Sequence, residues 1–334
     1  MTASSLTFGA ELECFLPMGM THRAAAARIA AETGIECNAE GYNHYTRPTW
    51  KIVTDGSLGN YQRGAEIVSP ILSGEEGIEA LAKVCRALTD MGAKVNKNCG
   101  FHVHIGMRGE SLDTWKNVIR AYAAFETQID NLMPTSRRAN NNCYCRSIAR
   151  IDHAALEMAT DLRGVDHAVD LRGAQDRRYA KVNLQSFYRH GTIEFRQHSG
   201  TVDADKATNW VRFLLAMVEA ARKGKKPATT AAATSATVTA RPGSKTALAG
   251  SMLTRPNGCT RQEILAATGW PTVSVQQVAR SCGLAISQRR EGRDVRYFAQ
   301  GDMTASLDGL FALIEANDNI ARFYTGRAQT LRAA

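Results

Sequence analysis

No stretch of the 334-residue chain approaches the roughly 18 consecutive apolar residues that a membrane span requires. No basic start followed by an apolar run marks an export signal. The expected setting is therefore cytoplasmic, with no membrane partner. The eight cysteines, at 14, 37, 85, 99, 143, 145, 259 and 282, form no CxxC pair and no disulfide-scaffold spacing. They read as reduced thiols. Cys143 and Cys145 have the option of ligating metal, but buried or loop thiols are the simpler reading. There is no GxxxxGK[ST] loop and no GxGxxG after a strand, so any nucleotide needs another kind of cradle. There is no GxSxG element, which argues against serine hydrolase chemistry.

What is present is an ordinary globular composition, 44% hydrophobic and 22% charged, with a net charge of +9. That charge is unevenly placed. Residues 1–221 carry 25 basic and 25 acidic side chains, whereas residues 222–334 carry 16 basic and 7 acidic ones. The whole excess falls in the C-terminal third, which points to a polyanion partner there. The composition changes at "RKGKKPATTAAATSATVTARPGSK", which lacks aromatics and long aliphatics and reads as a linker. The expected organisation is a catalytic domain over 1–221, a linker over 222–244, a small domain over 245–300, and a helix and basic tail over 301–334.

The first region mixes strands and helices. "LTFGAELECF", "GFHVHIG" and "GTIEFRQH" alternate as strands do. "EEGIEALAKVCRALTDMG", "DTWKNVIRAYAAFETQIDNLMP" and "NWVRFLLAMVEAA" carry apolar residues at helical spacing. This order predicts an α+β domain, a mainly antiparallel sheet with helices on one face.

Three of the strands share a peculiarity. Side chains two apart in a strand share a face. Glu11 and Glu13, His102 and His104, and Glu194 and Arg196 are such pairs, each opposed by mostly apolar residues. Glu66, in "RGAEIVSP", lies on a further strand. If the strands are neighbours, they build one polar floor. Paired carboxylates repel unless a cation neutralises them. Acids with imidazoles suit Mg²⁺ or Mn²⁺ better than structural zinc. Such ions beside an arginine are what a nucleoside triphosphate needs. Each pair taken singly also suits a solvated sheet face.

The ordered segments "FGAELECF", "TDGSL", "RGAEIVSP", "CGFHVHIG", "MPTSRRANNNCYC", "RRYAKVNLQSF" and "GTIEFRQHSGT" resemble the amidoligase family. These are carboxylate–amine ligases of glutamine-synthetase-like fold, and the resemblance covers about residues 5–220. It implies a catalytic domain with a mainly antiparallel curved sheet. It also implies ATP and Mg²⁺ or Mn²⁺ as cofactors, and a carboxylate and an amine (an amino acid, peptide or protein group) as substrates. Through the resemblance, Glu11, His102 or His104, and Glu194 hold the metal on the nucleotide phosphates, and Glu13 and Glu66 hold one nearer the carboxylate. Arg196 stabilises the transferring phosphoryl group, and Asp55 contacts the amine. Arg137, Arg178, Lys181 and Asn183 are the expected nucleotide or carboxylate contacts. The expected product is an amide or isopeptide bond made through an acyl phosphate. The segment before "GAELE" is short, so the small N-terminal domain of glutamine synthetase, with its ring assembly and its specificity, is not expected to carry over.

Residues 245–300 resemble a small winged-helix domain of the kind appended to bacterial and phage proteins. Thr260 and Glu263 have capping-box spacing. Trp270-Pro271 is expected to start a third helix, leaving Ser274, Gln277 and Arg280 outward, with Arg289, Arg290, Arg293 and Arg296 along the wing. Such a module reads DNA or docks a protein. Two other functions remain open on the sequence: a DNA-binding regulator with a non-catalytic ligand-sensing domain, and a metal-dependent hydrolase on the same residues.

Overall fold

The computed structural model describes residues 5–58, 63–169, 177–225, 240–255, 258–282, 284–291, 294–300, 310, 320 and 322–324. It contains two compact units, residues 1–226 with 313–334, and residues 227–312.

The first unit is α+β. Its chain begins with β1 (Thr7–Phe15), α1 (His22–Thr33), β2 (Cys37–Ala39), β3 (Trp50–Val53), β4 (Gly64–Val68) and β5 (Leu72–Ser73). It continues through α2 (Gly74–Asp90), β6 (Phe101–Gly106), α3 (Leu112–Asn131), α4 (His153–Met158) and α5 (Leu162–His167). It closes with β7 (Val182–Asn183), α6 (Ser186–His190), β8 (Thr192–Phe195) and α7 (Ala204–Arg222). The sheet runs β2-β3-β4-β1-β6-β8-β7, with β5 pairing the start of β1. Every pairing is antiparallel except β2 with β3.

The alternation in β1 explains its place at the centre. Phe8, Ala10, Leu12 and Cys14 are all buried, so one face is core. Val103, Ile105, Ile193 and Phe195 extend that apolar face across β6 and β8. The helices cover it with stripes of matching period: Ile78, Leu81, Val84, Cys85 and Leu88 of α2, and Trp210, Val211, Phe213, Leu214, Met217 and Val218 of α7. Each such side chain, fully withdrawn from water, is worth about 1.5–3 kcal/mol. α1, α2, α7 and α3 are neighbours in that order. Local signals set their ends. Ser111 caps α3 by accepting from the Thr114 amide at 3.2 Å, and Asp203 caps α7 through the Lys206 amide at 3.1 Å. Tyr324 is buried edge-on against Phe213, with ring centroids 5.7 Å apart.

The second unit contains α8 (Lys245–Leu253), β9 (Cys259–Thr260), α9 (Arg261–Thr268), α10 (Val275–Ser281), β10 (Ala285–Glu291) and β11 (Asp294–Gln300). The three strands form an antiparallel sheet in the order β10-β11-β9. Met252, Leu253, Ile264, Val275 and Val278 lie in its core. The Thr260–Glu263 capping box is present, and Arg296 reaches both Glu263 carboxylate oxygens at 3.1 Å. Trp270-Pro271 does not open the third helix. That helix starts at Val275 because Ser274 caps it, its hydroxyl accepting from the Gln277 amide at 3.4 Å. Gln277 and Arg280 are exposed on α10. Arg293 and the side chains of Arg289 and Arg290 lie outside the described residues, as do positions 226–239 of the expected linker and most of the expected C-terminal helix. No described helix is long and apolar enough to cross a membrane.

Candidate active site

Strand registers bring the sequence pairs together. Glu13 lies opposite Glu66, Glu11 opposite His102, and His104 opposite Glu194. Because side chains alternate, all six stand on the face away from the helices. They floor a cleft of about 830 Å³ that Asp55, Arg137, Arg178, Asn183 and Arg196 also line.

The contacts within the floor are specific. His102 Nδ1 is 3.3 Å from Glu11 Oε2, and its Nε2 is 3.7 Å from Glu13 Oε1. Glu13 Oε2 accepts the Gly100 amide at 2.6 Å. Position 100 must be glycine, since a Cβ there would lie 2.6 Å from His102 Nε2 and 3.2 Å from Arg137 Nη2. His104 Nδ1 is fixed by the Thr192 hydroxyl at 2.9 Å and the Ser186 hydroxyl at 3.1 Å. Its Nε2 is buried, 3.3 Å from Glu11 Oε1 and 4.0 Å from Glu194 Oε1, yet in no hydrogen bond among the described residues. Asn183 donates to Glu194 Oε2 at 2.6 Å, and Arg196 pairs with Glu194 Oε1. Asp55 is held by Ser57, whose amide donates at 2.8 Å and whose hydroxyl donates at 2.9 Å.

Electrostatics separates the acids. Burial, then repulsion from Glu11, Glu13 and Asp55, pushes Glu66 well above the usual carboxylate range. Burial pushes Glu11 the same way, but His104 and His102 outweigh it and hold Glu11 well below that range. Burial also opposes the charge of Glu194, and Arg196 and the two histidines win, lowering it. For His104 burial favours the neutral ring, and Glu11 and Glu194 outweigh it, raising its pKa. Protons on Glu66 and His104 thus relieve a site with too many carboxylates.

Among the described residues, three groups have one ligand atom per residue, all within 4.8 Å of one another: Glu11–His104–Glu194, Glu11–Glu66–His102 and Glu13–Asp55–Glu66. Carboxylate-rich sets suit a hard divalent cation. The Nε2 of His104 faces Glu11 and Glu194 while its other nitrogen is fixed by two hydroxyls, the arrangement expected of a metal-ligating imidazole.

Some expected residues do other things. Lys181 does not reach the cleft. It is fully buried, with its Nζ 2.7 Å from Glu126 Oε1 and 2.5 Å from Asp130 Oδ1. Arg137 lines the cleft, but it also donates to the Cys99 carbonyl and lies 3.8 Å from Cys145 Sγ. Arg178 stacks on Tyr179, its guanidinium 4.6 Å from the ring centroid.

Sequence reasoning missed Thr192, Ser186 and Lys51. Lys51 is buried and donates to Asn43 Oδ1 and the Tyr45 carbonyl, both at 2.7 Å. Its strand, "WKIV", is buried at all four positions, so alternation gave no hint of a face. The only signal was a lone charge in an apolar strand. Thr192 and Ser186 flank a strand and a short helix, and no spacing rule joins them to a histidine more than 80 residues earlier.

No curated protein matches the chain. Several solved structures are similar to it, three of which follow. A glutamine synthetase from Plasmodium falciparum is 11% identical, with a TM-score of 0.37 over 99% of this chain and 73% of its own. A structure described as a novel glutamine synthase homolog is 11% identical, with a TM-score of 0.38 over 98% and 66%. A GmaS protein in complex with ADP is 12% identical, with a TM-score of 0.36 over 98% and 70%. The family model described as "Putative amidoligase enzyme" matches residues 4–218, well over half of the chain, and the chain belongs to that family.

Proposed function

We propose that the first unit is an ATP-dependent carboxylate–amine ligase that makes an amide or isopeptide bond through an acyl phosphate. The observation that carries this reading is the floor itself, in which acids in excess of their counter-charges surround two imidazoles beside Arg196. Glu11, His104 and Glu194 are assigned to one Mg²⁺ or Mn²⁺, and Glu13 and Glu66 to a second. Bound divalent ions neutralise phosphate oxygens and so lower the barrier to phosphoryl transfer. Arg196, oriented by Glu194, aims a permanent positive charge at the transferring group. Arg137 and Arg178 contribute further positive charge along the cleft. Asp55, aligned by Ser57, accepts the proton that the attacking amine loses. No covalent nucleophile is required, because positioning and fixed charge carry the reaction.

The test is ADP release with MgATP across panels of carboxylates and amines, comparing wild type with Glu13→Ala and His104→Ala. Release that depends on both substrates and collapses in the variants is the expected result. Release indifferent to added substrate, or undiminished in both variants, overturns the reading. Product formation without ATP points to hydrolase chemistry instead.

For the second unit we propose a winged-helix type of module that binds a polyanion such as DNA. The support is the net +9 of residues 222–334, with Gln277 and Arg280 exposed on α10. A gel shift of the full chain at two salt concentrations tests it. Loss of the shift at the higher salt is expected, and no shift at the lower one removes DNA as a partner.

A further inference from the structure

The floor does not end at the acids. Beyond Glu11 the same face of β1 presents Gly9, opposite His104 of β6, and Thr7, whose side chain lies over Gly106. With no side chain at either glycine, the surface drops into a second recess of about 300 Å³. A Cβ at Gly106 would lie 2.3 Å from Thr7 Oγ1, so the Thr7 side chain would have to move. Glu11, Glu66, His104, His44 and His190 line both the recess and the main cleft, so the two cavities meet at the acidic floor.

Lys51 lines this recess on its β3 side. It shares a face with Val53, which pairs with Glu66, so its side chain rises from the same floor. The residue is 2% exposed, and its ammonium makes two hydrogen bonds, both to neutral acceptors. No carboxylate lies within ion-pair distance of it among the described residues, and one of its three N–H groups is unused. Burial lowers the Lys51 pKa, and Glu40, Glu66 and Glu11 oppose that only from beyond ion-pair distance, so an anion brought against the ammonium relieves a costly burial. Lys181, in contrast, has two carboxylates. At the rim, Arg108 is exposed and makes no ion pair among the described residues. Glu110 at the same rim is already paired with Arg222 at 2.7 Å. The recess therefore offers positive charge to an occupant and no free acid except at its junction with the floor.

Resting on the ligase reading, we propose that the recess is the subsite for the acid substrate, and that Lys51 selects a substrate carrying a second anionic group remote from the one that reacts. Lys51 and Glu11 are both paired with Val68, from opposite sides. They are thus two strand spacings apart, roughly 10 Å between backbones. A short dicarboxylate spans from the ammonium to the metal-holding acids, with one carboxylate at each end.

The experiment needs no turnover. Isothermal titration of the full chain in MgCl₂ compares glutarate, butyrate and cadaverine as probes, in wild type and Lys51→Met. Glutarate is expected to bind, butyrate at least about tenfold more weakly, and cadaverine not at all; Lys51→Met is expected to reduce glutarate to the level of butyrate. Equal binding of glutarate and butyrate, a preference for cadaverine, or undiminished glutarate binding in a folded Lys51→Met protein overturns the proposal. If Lys51→Met fails to fold, the wild-type probe series decides alone. The two readings fail separately. Lys51-dependent binding without ADP release removes the ligase and keeps the subsite. ADP release with an unchanged KM for the acid in Lys51→Met removes the subsite and keeps the ligase.

Discussion

Lys181 and Glu66 are ionisable residues of the same unit, and their surroundings are opposites. Lys181 is buried with Glu126 and Asp130, while Glu126 also accepts the Ile148 amide at 2.7 Å and Asp130 also accepts from Gln197 at 2.5 Å and from the Ala139 amide at 2.7 Å. Each charged group there has an opposite charge within hydrogen-bond reach, although burial still raises the Glu126 pKa. Glu66 meets Glu13, Glu11 and Asp55, and its main relief is a proton. A satisfied buried network ties chain segments together. An unsatisfied one waits for a ligand. The same residue types give structure in one place and a site in the other, and only the count of partners separates them.

The contrast can be broken most directly at Lys181. Lys181→Met leaves two carboxylates facing each other without their cation, and is expected to cost about 3–5 kcal/mol of folding stability by urea denaturation. A cost below about 1 kcal/mol means the network is not structural. Glu66→Gln is expected to do the reverse. Stability without metal stays level or rises at neutral pH, since a carboxylate repelled by Glu11, Glu13 and Asp55 is removed, while ADP release falls at least about a hundredfold, equivalent to ~3 kcal/mol of transition-state stabilisation.

A pH series sharpens the comparison further. The folded state binds the Glu66 proton more tightly than the unfolded chain does. The Glu66 contribution to stability without metal is therefore greatest below the ordinary carboxylate range and is lost as pH rises through the raised pKa, whereas Glu11 and Glu194, whose pKa values are lowered, contribute in the opposite sense. A cation replaces that proton, so Mg²⁺ or Mn²⁺ binding releases protons and tightens with rising pH. Melting temperatures with and without Mn²⁺ should diverge as pH increases, and curves that stay parallel contradict this account. The smallest effect is expected at Thr192→Val, which removes one of the two hydroxyls on His104 Nδ1. Mn²⁺ binding, followed calorimetrically, should weaken about tenfold.

How much of this was readable in advance depends on the range of the interaction. The alternation in "GAELECF", "GFHVHIG" and "GTIEFRQ" fixes which side chains share a face, so the six floor residues were visible as pairs. The α+β class and the mainly antiparallel sheet followed from element order. What alternation does not contain is strand order and register, which place Glu13 across from Glu66 and His104 across from Glu194. Lys181 was misread because its partners, 51 and 55 residues earlier in the chain, lie on a helix and mark no motif. Trp270-Pro271 looked like a helix start, and the Ser274 cap moved that start to Val275.

The two glycines under the recess make its depth a matter of single methyl groups. A Cβ at Gly106 would displace the Thr7 hydroxyl, but a Cβ at Gly9 would rest 3.7 Å from His104 Cβ and 3.8 Å from Ser69 Oγ, ordinary contact distances. Position 9 is thus a dial for the engineer. Alanine there makes the pocket shallower without pushing on the backbone, and larger residues would fill it in graded steps. A family of variants differing only at position 9 would sort acids by length, turning the shape of the floor into a ruler for its own substrate.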